Sequence, residues 1–297
     1  MILVVGATGL AGGMIARGLL AKGKSVRALV RESSDYRGLI EAGAEIAFGD
    51  LKNAASLEPA MRGVDVVITT ASAGQRGGAD TPISVDLEGN GHLIAAAREA
   101  GVRQFIYISA LTASVDSPVP LPRAKARTEI TLRESGLTFT ILAANGIMDV
   151  MLPIVIEAPL NAGKPVTLCG EGQRRHSFVA ARDIAAFALA AVDHPKALNS
   201  KIPVVGPAAV SWRDIVAEYD RQLERKTALR FVAPGELLPD LPPVPGLTEL
   251  VSGLLAALES FDTPADTIGT AETFGVTPTT LRAFVAGRLR VLSGRPQ

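Results

Sequence analysis

Cysteine is almost absent from this chain. Cys169 is the only one in 297 residues, so no internal disulfide can form, which fits a reducing compartment. An excess charge of either sign is also lacking. The 30 Lys and Arg balance the 30 Asp and Glu, so no net field draws nucleic acid or an anionic membrane surface. No apolar run approaches the ~20 residues that a membrane helix needs. The first strand-like run starts at Met1 without the basic stretch of a secretory signal, so a cytoplasmic protein is expected. Histidine is scarce: His92, His176 and His194 stand apart without metal-ligand spacing, so no metal site is expected. Gly-x-Ser-x-Gly is missing, which argues against hydrolase chemistry.

What is present starts at once. Met1-Ile2-Leu3-Val4-Val5 is apolar, Gly6-Ala7-Thr8-Gly9-Leu10-Ala11-Gly12 follows, and residues 14–22 are amphipathic. Strand, glycine turn and helix in this order hold a dinucleotide: the first free N–H groups of the helix point at the pyrophosphate. The spacing is Gly-x-x-Gly-x-x-Gly. Gly6 and Gly9 are expected to let the backbone turn close to phosphate, and Gly12 to let the helix pack on the strand.

Apolar runs at residues 2–5, 25–30, 45–48, 65–70, 104–109 and 138–142 alternate with helical patterns at 12–22, 36–42, 54–61, 84–100 and 123–135. Gly23, Gly43, Gly63, Gly101 and Gly136 close those helices as left-handed caps. The continuous Val/Ile/Leu runs suit strands buried on both faces. The pattern predicts an α/β fold: a Rossmann-type doubly wound parallel sheet with a smaller, mostly helical C-terminal lobe.

The expected division is a nucleotide-binding domain over 1–150 and a substrate lobe over 151–297, with segments near 177–207 returning to the sheet. The lobe is expected to close over the cofactor's reactive end. Residues 181–192 read as a buried helix and 201–205 as a strand. Ser211 N-caps a helix over 211–223, anchored by Trp212. Prolines 234, 239, 242, 243 and 245 predict a stiff extended connector over 233–245. Residues 248–261 and 278–290 read as helices. Cys169 reads as buried packing, or as a redox sensor if exposed. Asp183 reads as a helix cap. Arg174-Arg175-His176 reads as a solvated loop, or as a contact for an acidic group.

The second strand ends at Arg31, followed by Glu32, Ser33 and Ser34. An acidic residue here would hold the ribose hydroxyls of NAD, whereas a guanidinium with small hydroxyls suits a 2′-phosphate. NADP is therefore expected over NAD; the plainer reading of Arg31 is a solvated surface side chain. Asp50 and Leu51 end the third strand where adenine would lie, although Asp50 could equally cap the next helix. Ala71 and Ser72, beyond the fourth strand, are small enough to let ribose and pyrophosphate lie against backbone.

Several segments together resemble the NmrA-like branch of the atypical short-chain dehydrogenases/reductases. They are Gly6-Ala7-Thr8-Gly9, the stretch from Val102 to Ser109, Ser135-Gly136-Leu137-Thr138-Phe139-Thr140, the stretch from Ser177 to Ala185, and Thr273-Phe274-Gly275-Val276-Thr277-Pro278. The resemblance implies a Rossmann-type sheet, NAD(P) binding and a small substrate lobe. It spans reductases, including quinone reductases, and redox sensors that bind the nucleotide without turnover.

The wider superfamily reduces carbonyls with Tyr-x-x-x-Lys, where Tyr is the acid and Lys lowers its pKa and holds the nicotinamide ribose. Here the stretch is Leu121-Pro122-Arg123-Ala124-Lys125. Lys125 stands at the Lys position, while Leu121 at the Tyr position cannot donate a proton. For the helper hydroxyl, Ser109 and Thr112 flank Ala110. The family's Arg-Pro after the sixth strand is replaced by Ala143-Ala144, with Asn145 following.

The resulting expectation is an NAD(P)H-dependent oxidoreductase that passes hydride to a quinone, enone or other activated small molecule. Gly6, Thr8, Gly9, Leu10 and Ala11 would hold the pyrophosphate, Arg31 the 2′-phosphate, and Asp50 and Leu51 the adenine. Ala71, Ser72, Ser109 and Asn145 complete the cofactor set. Lys125 would hold the ribose and, with a depressed pKa, relay a proton, with Thr112 assisting; a ribose clamp without proton transfer stays equally open. The alternative is an NADP-binding sensor without catalysis. A sugar-nucleotide epimerase would lack both the Tyr and a diphosphate-sugar site.

Overall fold

In the computed structural model, which describes residues 1–74, 78–239, 241, 246–263 and 268–292, the apolar runs become strands. They are β1 (Ile2–Val5), β2 (Val26–Val30), β3 (Glu45–Phe48), β4 (Val66–Thr69), β5 (Gln104–Ala110), β6 (Phe139–Ala144) and β8 (Ser200–Val204), and two strands not expected from the sequence join them, β7 (Val166–Cys169) and β9 (Leu229–Val232). The chain divides into two units. The first holds residues Met1–Ala144, Ala181–Val204 and Thr273–Val276; the second holds Asn145–Ala180, Val205–Glu272 and Thr277–Gln297.

The first unit carries a seven-stranded sheet in the order β3-β2-β1-β4-β5-β6-β8, parallel at every pairing. This is a Rossmann-type α/β fold. The strand order reverses between β1 and β4, and that switch point leaves a crevice at the strands' carboxyl ends. Leu3, Val5, Val67, Phe105 and Tyr107 share one sheet face and pack with Leu93, Ile94 and Leu132 from the covering helices. Alternation sends Val4, Ile68 and Ile106, also fully buried, to the opposite face. The helix Ala181–Ala191 packs on the helix Leu10–Ala21, and a Cβ at Gly18 would come within 2.6 Å of Leu189. The five glycines expected to cap helices all have positive φ.

Three helices differ from their expected form. The run expected as one helix over 54–61 is a 3-10 turn, Ala54–Ser56, followed by a short α-helix, Glu58–Met61. The run expected as one helix over 84–100 is a π-helical turn, Pro82–Gly89, followed by an α-helix, Asn90–Glu99. The helix expected from residue 123 begins at Pro120, because proline lacks only an N–H that the first helical turn leaves unpaired anyway.

The second unit is built around a core of Trp212, Tyr219, Phe178, Leu152, Ile156 and Leu255. Ser211 caps the helix Trp212–Leu223, its side chain accepting from the Asp214 N–H while Asp214 caps in return. Phe178 stacks edge-on against Trp212 with ring centroids 5.1 Å apart. β7 and β9 form a parallel pair, which puts Cys169 in a buried strand where burial pushes its thiol pKa up. The described part of the expected connector is turned rather than extended. Gly235 takes φ +100° and Leu238 is buried, its N–H bonding Ser252 Oγ at 2.9 Å; residues 240 and 242–245 of that stretch lie outside the described residues. Among the described residues no helix is long and apolar enough to cross a membrane.

Candidate nucleotide and reaction site

The turn after β1 is shaped by close backbone approach. Gly6 sits at φ +80°, and a Cβ there would lie 2.6 Å from Thr70 Oγ1. A Cβ at Gly12 would be driven into the Gly6 carbonyl and to 2.7 Å from Thr70 Oγ1. Thr70 Oγ1 donates to the Val5 carbonyl at 3.2 Å, which locks the end of β4 to the end of β1. The Gly9 N–H bonds the Gly6 carbonyl at 2.9 Å. Gly9 then serves as the N-cap of Leu10–Ala21 without any side-chain cap. The first N–H groups of that helix, including those of Leu10 and Ala11, have no intrahelical acceptor. Such a turn fits a pyrophosphate.

A cleft in the first unit is lined by Gly6, Thr8, Arg31, Asp50, Leu51, Ala71 and Asp80, among others. Six of the thirteen expected cofactor residues line it: Gly6, Thr8, Arg31, Asp50, Leu51 and Ala71. Asp50 Oδ1 accepts the Lys52 N–H at 2.9 Å, forming a local turn instead of a helix cap. Leu51 is held through its carbonyl, 2.8 Å from His92 Nδ1. Ser72 Oγ accepts the Gly74 N–H at 3.3 Å. At the end of β2, Arg31 Nη1 reaches Asp80 Oδ2 at 2.9 Å, and Lys52 Nζ reaches Asp80 Oδ1 at 2.6 Å. Sequence reasoning missed Lys52 and Asp80, which fall in loops of no fixed periodicity.

The expected reaction residues are drawn inward. Lys125 is buried; its Nζ donates to the Ile108 carbonyl at 3.2 Å and pairs with Asp86 Oδ1 at 3.2 Å. It also lies 5.3 Å over the ring of Tyr107. Burial disfavours its charge, but Tyr107 and Asp86 beside it outweigh that and raise its pKa. The depressed pKa that a proton relay would require is therefore not found. Burial pushes the Tyr107 phenol up to about 12. Its hydroxyl makes no well-formed hydrogen bond among the described residues.

Asp86, from the π-helical turn, is the hub of this buried network. Its Oδ2 accepts the Ala73 N–H at 2.9 Å and its carbonyl accepts Thr128 Oγ1 at 2.6 Å. Asn90 Nδ2 donates to the Val85 carbonyl at 3.0 Å, and Asn90 Oδ1 accepts Thr69 Oγ1 at 3.0 Å. The network thereby fixes the backbone at Ala71–Ala73, which borders the cleft. A residual signal was present in the sequence: Asp86 and Asn90 stand four residues apart, as do Lys125 and Glu129, so each pair shares a helix face.

Ser109 is buried near the end of β5. Its hydroxyl donates to Glu129 Oε1 at 2.6 Å, and Glu129 Oε2 also accepts from Lys201 at 2.8 Å and Arg133 at 3.0 Å. Thr112 is half-buried in the turn after β5. Leu121 opens the helix Pro120–Glu134, and its Cδ2 would lie 3.3 Å from a Cβ at Gly74.

Asn145 belongs to the second unit, where its amide donates to Thr263 Oγ1 at 2.9 Å and the Ser177 carbonyl at 3.2 Å. His176 is buried there, with Nδ1 2.7 Å from Thr263 Oγ1, so it is no solvated loop residue. Arg174 and Arg175 are exposed, and Arg175 pairs with Asp214 at 3.2 Å. Among the described residues no three His, Cys, Asp or Glu side chains group as metal ligands would.

The family model of the NmrA-like family matches residues 1–279. The chain belongs to the NmrA-like family. It is 33% identical to an NAD(P)H azoreductase of Xenophilus azovorans, over 78% of this chain and 77% of that protein. It is 34% identical to the photosystem II assembly factor Ycf39 of Cyanophora paradoxa, over 74% of this chain and 68% of that protein. In fold, this NmrA-like chain superposes on an NADPH-dependent quinone oxidoreductase of Escherichia coli, solved with NADPH, at a TM-score of 0.81 and 22% identity. That match covers 97% of this chain and 100% of the other.

Proposed function

We propose that this chain is an NADPH-dependent oxidoreductase acting on an activated small molecule such as a quinone, an enone or an azo compound. One observation carries the reading: the glycine turn after β1 opens into a cleft lined by Arg31, just past the end of β2, and by Asp80, which also binds Lys52 from the loop after β3. A glycine cradle takes a pyrophosphate, and a paired guanidinium and ammonium take a 2′-phosphate. The azoreductase relative supports the same reading.

The nicotinamide, when bound, supplies a hydride. Gly6, Gly9 and the first turn of Leu10–Ala21 bind its pyrophosphate; Asp50 and Leu51 flank the adenine; Ala71 and Ser72 leave room for ribose. Lys125 acts through Asp86, which holds the Ala73 N–H and so fixes the wall of the cleft. With Leu121 at the acid position and Lys125 held as a paired ammonium, the chain offers no ready proton donor of the Tyr-x-x-x-Lys type. Acceptors that take hydride directly and then a proton from solvent are favoured over plain ketones.

The test is fluorescence titration with NADPH, followed by NADPH oxidation against quinones, enones, azo dyes and aldehydes. Turnover with the first three and not with aldehydes is expected. Tight binding with no turnover on any of them would favour a second reading, a nucleotide-binding assembly or sensor protein. Leu121 and the likeness to Ycf39 speak for that reading.

A further inference from the structure

A carboxylate sits inside the part of the cleft where the 2′-phosphate would be welcomed. Asp80 is bound by Arg31 at 2.9 Å and by Lys52 at 2.6 Å, so both cations are already paired from within the chain. Arg31 nevertheless keeps an unused donor: its Nε is buried and has no hydrogen-bond partner among the described residues. We propose that Asp80 sets the nucleotide selectivity of this cleft, acting as an internal counter-anion that a 2′-phosphate must displace from Arg31 and Lys52. The inference rests on the nucleotide-binding reading above.

The backbone of Asp80 is not free to withdraw. The next residue, Thr81, caps the π-helical turn, with Thr81 Oγ1 accepting the Ser84 N–H at 3.0 Å and the Thr81 N–H bonding Ser84 Oγ at 2.9 Å. Ser84 Oγ also reaches back to the Ala79 carbonyl at 3.3 Å. The residues on both sides of Asp80 are thus tied locally, so the pairs part by side-chain rotation and not by withdrawal of the Asp80 backbone. The backbone of Lys52 is likewise tied, its N–H donating to Asp50 Oδ1 at 2.9 Å. Burial opposes ionisation of Asp80, but the Lys52 hydrogen bond and the Arg31 charge outweigh it and hold the carboxyl below the usual aspartate value. Asp80 is therefore an anion at neutral pH.

The two nucleotides meet this arrangement differently. A 2′-phosphate gains Arg31 and Lys52 only by breaking their contacts with Asp80, and then lies beside a like charge. A ribose 2′-hydroxyl breaks nothing and can donate to the carboxylate, the contact by which acidic side chains favour NAD. The cleft therefore carries determinants of both kinds, and Asp80 narrows a preference that Arg31 and Lys52 would otherwise make wide.

The experiment is Asp80→Asn, nearly isosteric, with Kd measured by fluorescence for NADPH and NADH, and by competition for 2′,5′-ADP and 5′-AMP. Removing one charge contact in a partly exposed site is expected to tighten NADPH and 2′,5′-ADP by about tenfold. NADH and 5′-AMP should stay unchanged or weaken. An unchanged or weaker NADPH affinity in the variant, with both nucleotides still bound by the unaltered protein, would overturn the role of Asp80 alone. If the unaltered protein binds neither nucleotide, the nucleotide reading itself fails and this inference with it.

Discussion

Lys125 and Asp86 form an ion pair sealed inside the first unit, 3.2 Å apart, with side-chain exposures of 10% and 0%. Such a pair is costly to break from one side, because the survivor is left charged and desolvated. Lys125→Met is expected to destabilise the protein by ~3–5 kcal/mol. Lys125→Met with Asp86→Asn should recover much of that loss. Urea denaturation of the three proteins checks it; a single-variant cost as small as the double's would mean that the pair is not sealed from water.

The same network sets a limit at alkaline pH. Tyr107 has its folded pKa raised to about 12, so above about pH 10 the unfolded chain ionises first and is favoured. Lys125 has a raised folded pKa, so its contribution is full below the unfolded value and is lost as pH climbs through the folded one. Both signs agree: stability should fall steeply from about pH 10 upward. Tyr107→Phe should flatten that fall while costing little at pH 7, since it also removes a buried hydroxyl that lacks a well-formed bond. Urea midpoints taken from pH 8 to 12 give the answer, and an unaltered alkaline slope in the variant would remove Tyr107 from the account.

Arg31 is the residue proposed to tell the two nucleotides apart. Arg31→Ala should weaken NADPH by about 10–100-fold, the worth of charge-assisted hydrogen bonds, and NADH by little. Titration with both decides; equal losses would show that Arg31 does not meet the 2′-phosphate.

Gly12 tests the glycine turn. A Cβ there runs into the Gly6 carbonyl, so Gly12→Ala should push the helix off β1. The expected cost is ~1–3 kcal/mol, typical of overpacking, with loss of nucleotide binding. Gly38→Ala is the control: nothing lies within 4 Å of a Cβ at that helical position, so stability should hold or rise. Thermal unfolding and NADPH titration of both variants check the contrast.

What the sequence made legible follows from which interactions are local. β1 to β6, their capping glycines and the glycine turn are each written in one contiguous stretch, as strand, turn and helix in order. β7 and β9 pair with each other across about sixty residues, and half-exposed Leu229–Val232 shows no alternation that a strand would need to stand out. Pro153 and Pro159 interrupt the helical run that follows Met148 and hide its period. In the site, Arg31 and Lys125 could be singled out because each occupies a position fixed by the strand or helix it belongs to. Asp86 and Asp80 could not, since their partners come from other segments: Lys125 lies 39 residues beyond Asp86, and Arg31 lies 49 residues before Asp80. Tyr107 sits inside an apolar run, where nothing local marks it as the ring over which the Lys125 ammonium lies.

Leu121 is the last point at which chemistry can be probed. Restoring an acid there, as Leu121→Tyr, supplies only one of the groups that carbonyl reduction needs. The lysine that should depress the new tyrosine's pKa is tied to Asp86 and the Ile108 carbonyl, and its own pKa is raised. The nearest strand-end serine, Ser109, spends its hydroxyl on Glu129. Steric room is also short, because Leu121 already packs at the position a Cβ of Gly74 would touch. The variant should therefore bind NADPH as before and reduce simple aldehydes no faster than the unaltered protein. NADPH oxidation with an aldehyde series measures this. Robust aldehyde turnover would mean that Lys125 leaves Asp86 when nucleotide binds, and the buried pair would then be a resting arrangement of the catalytic lysine and not its permanent place.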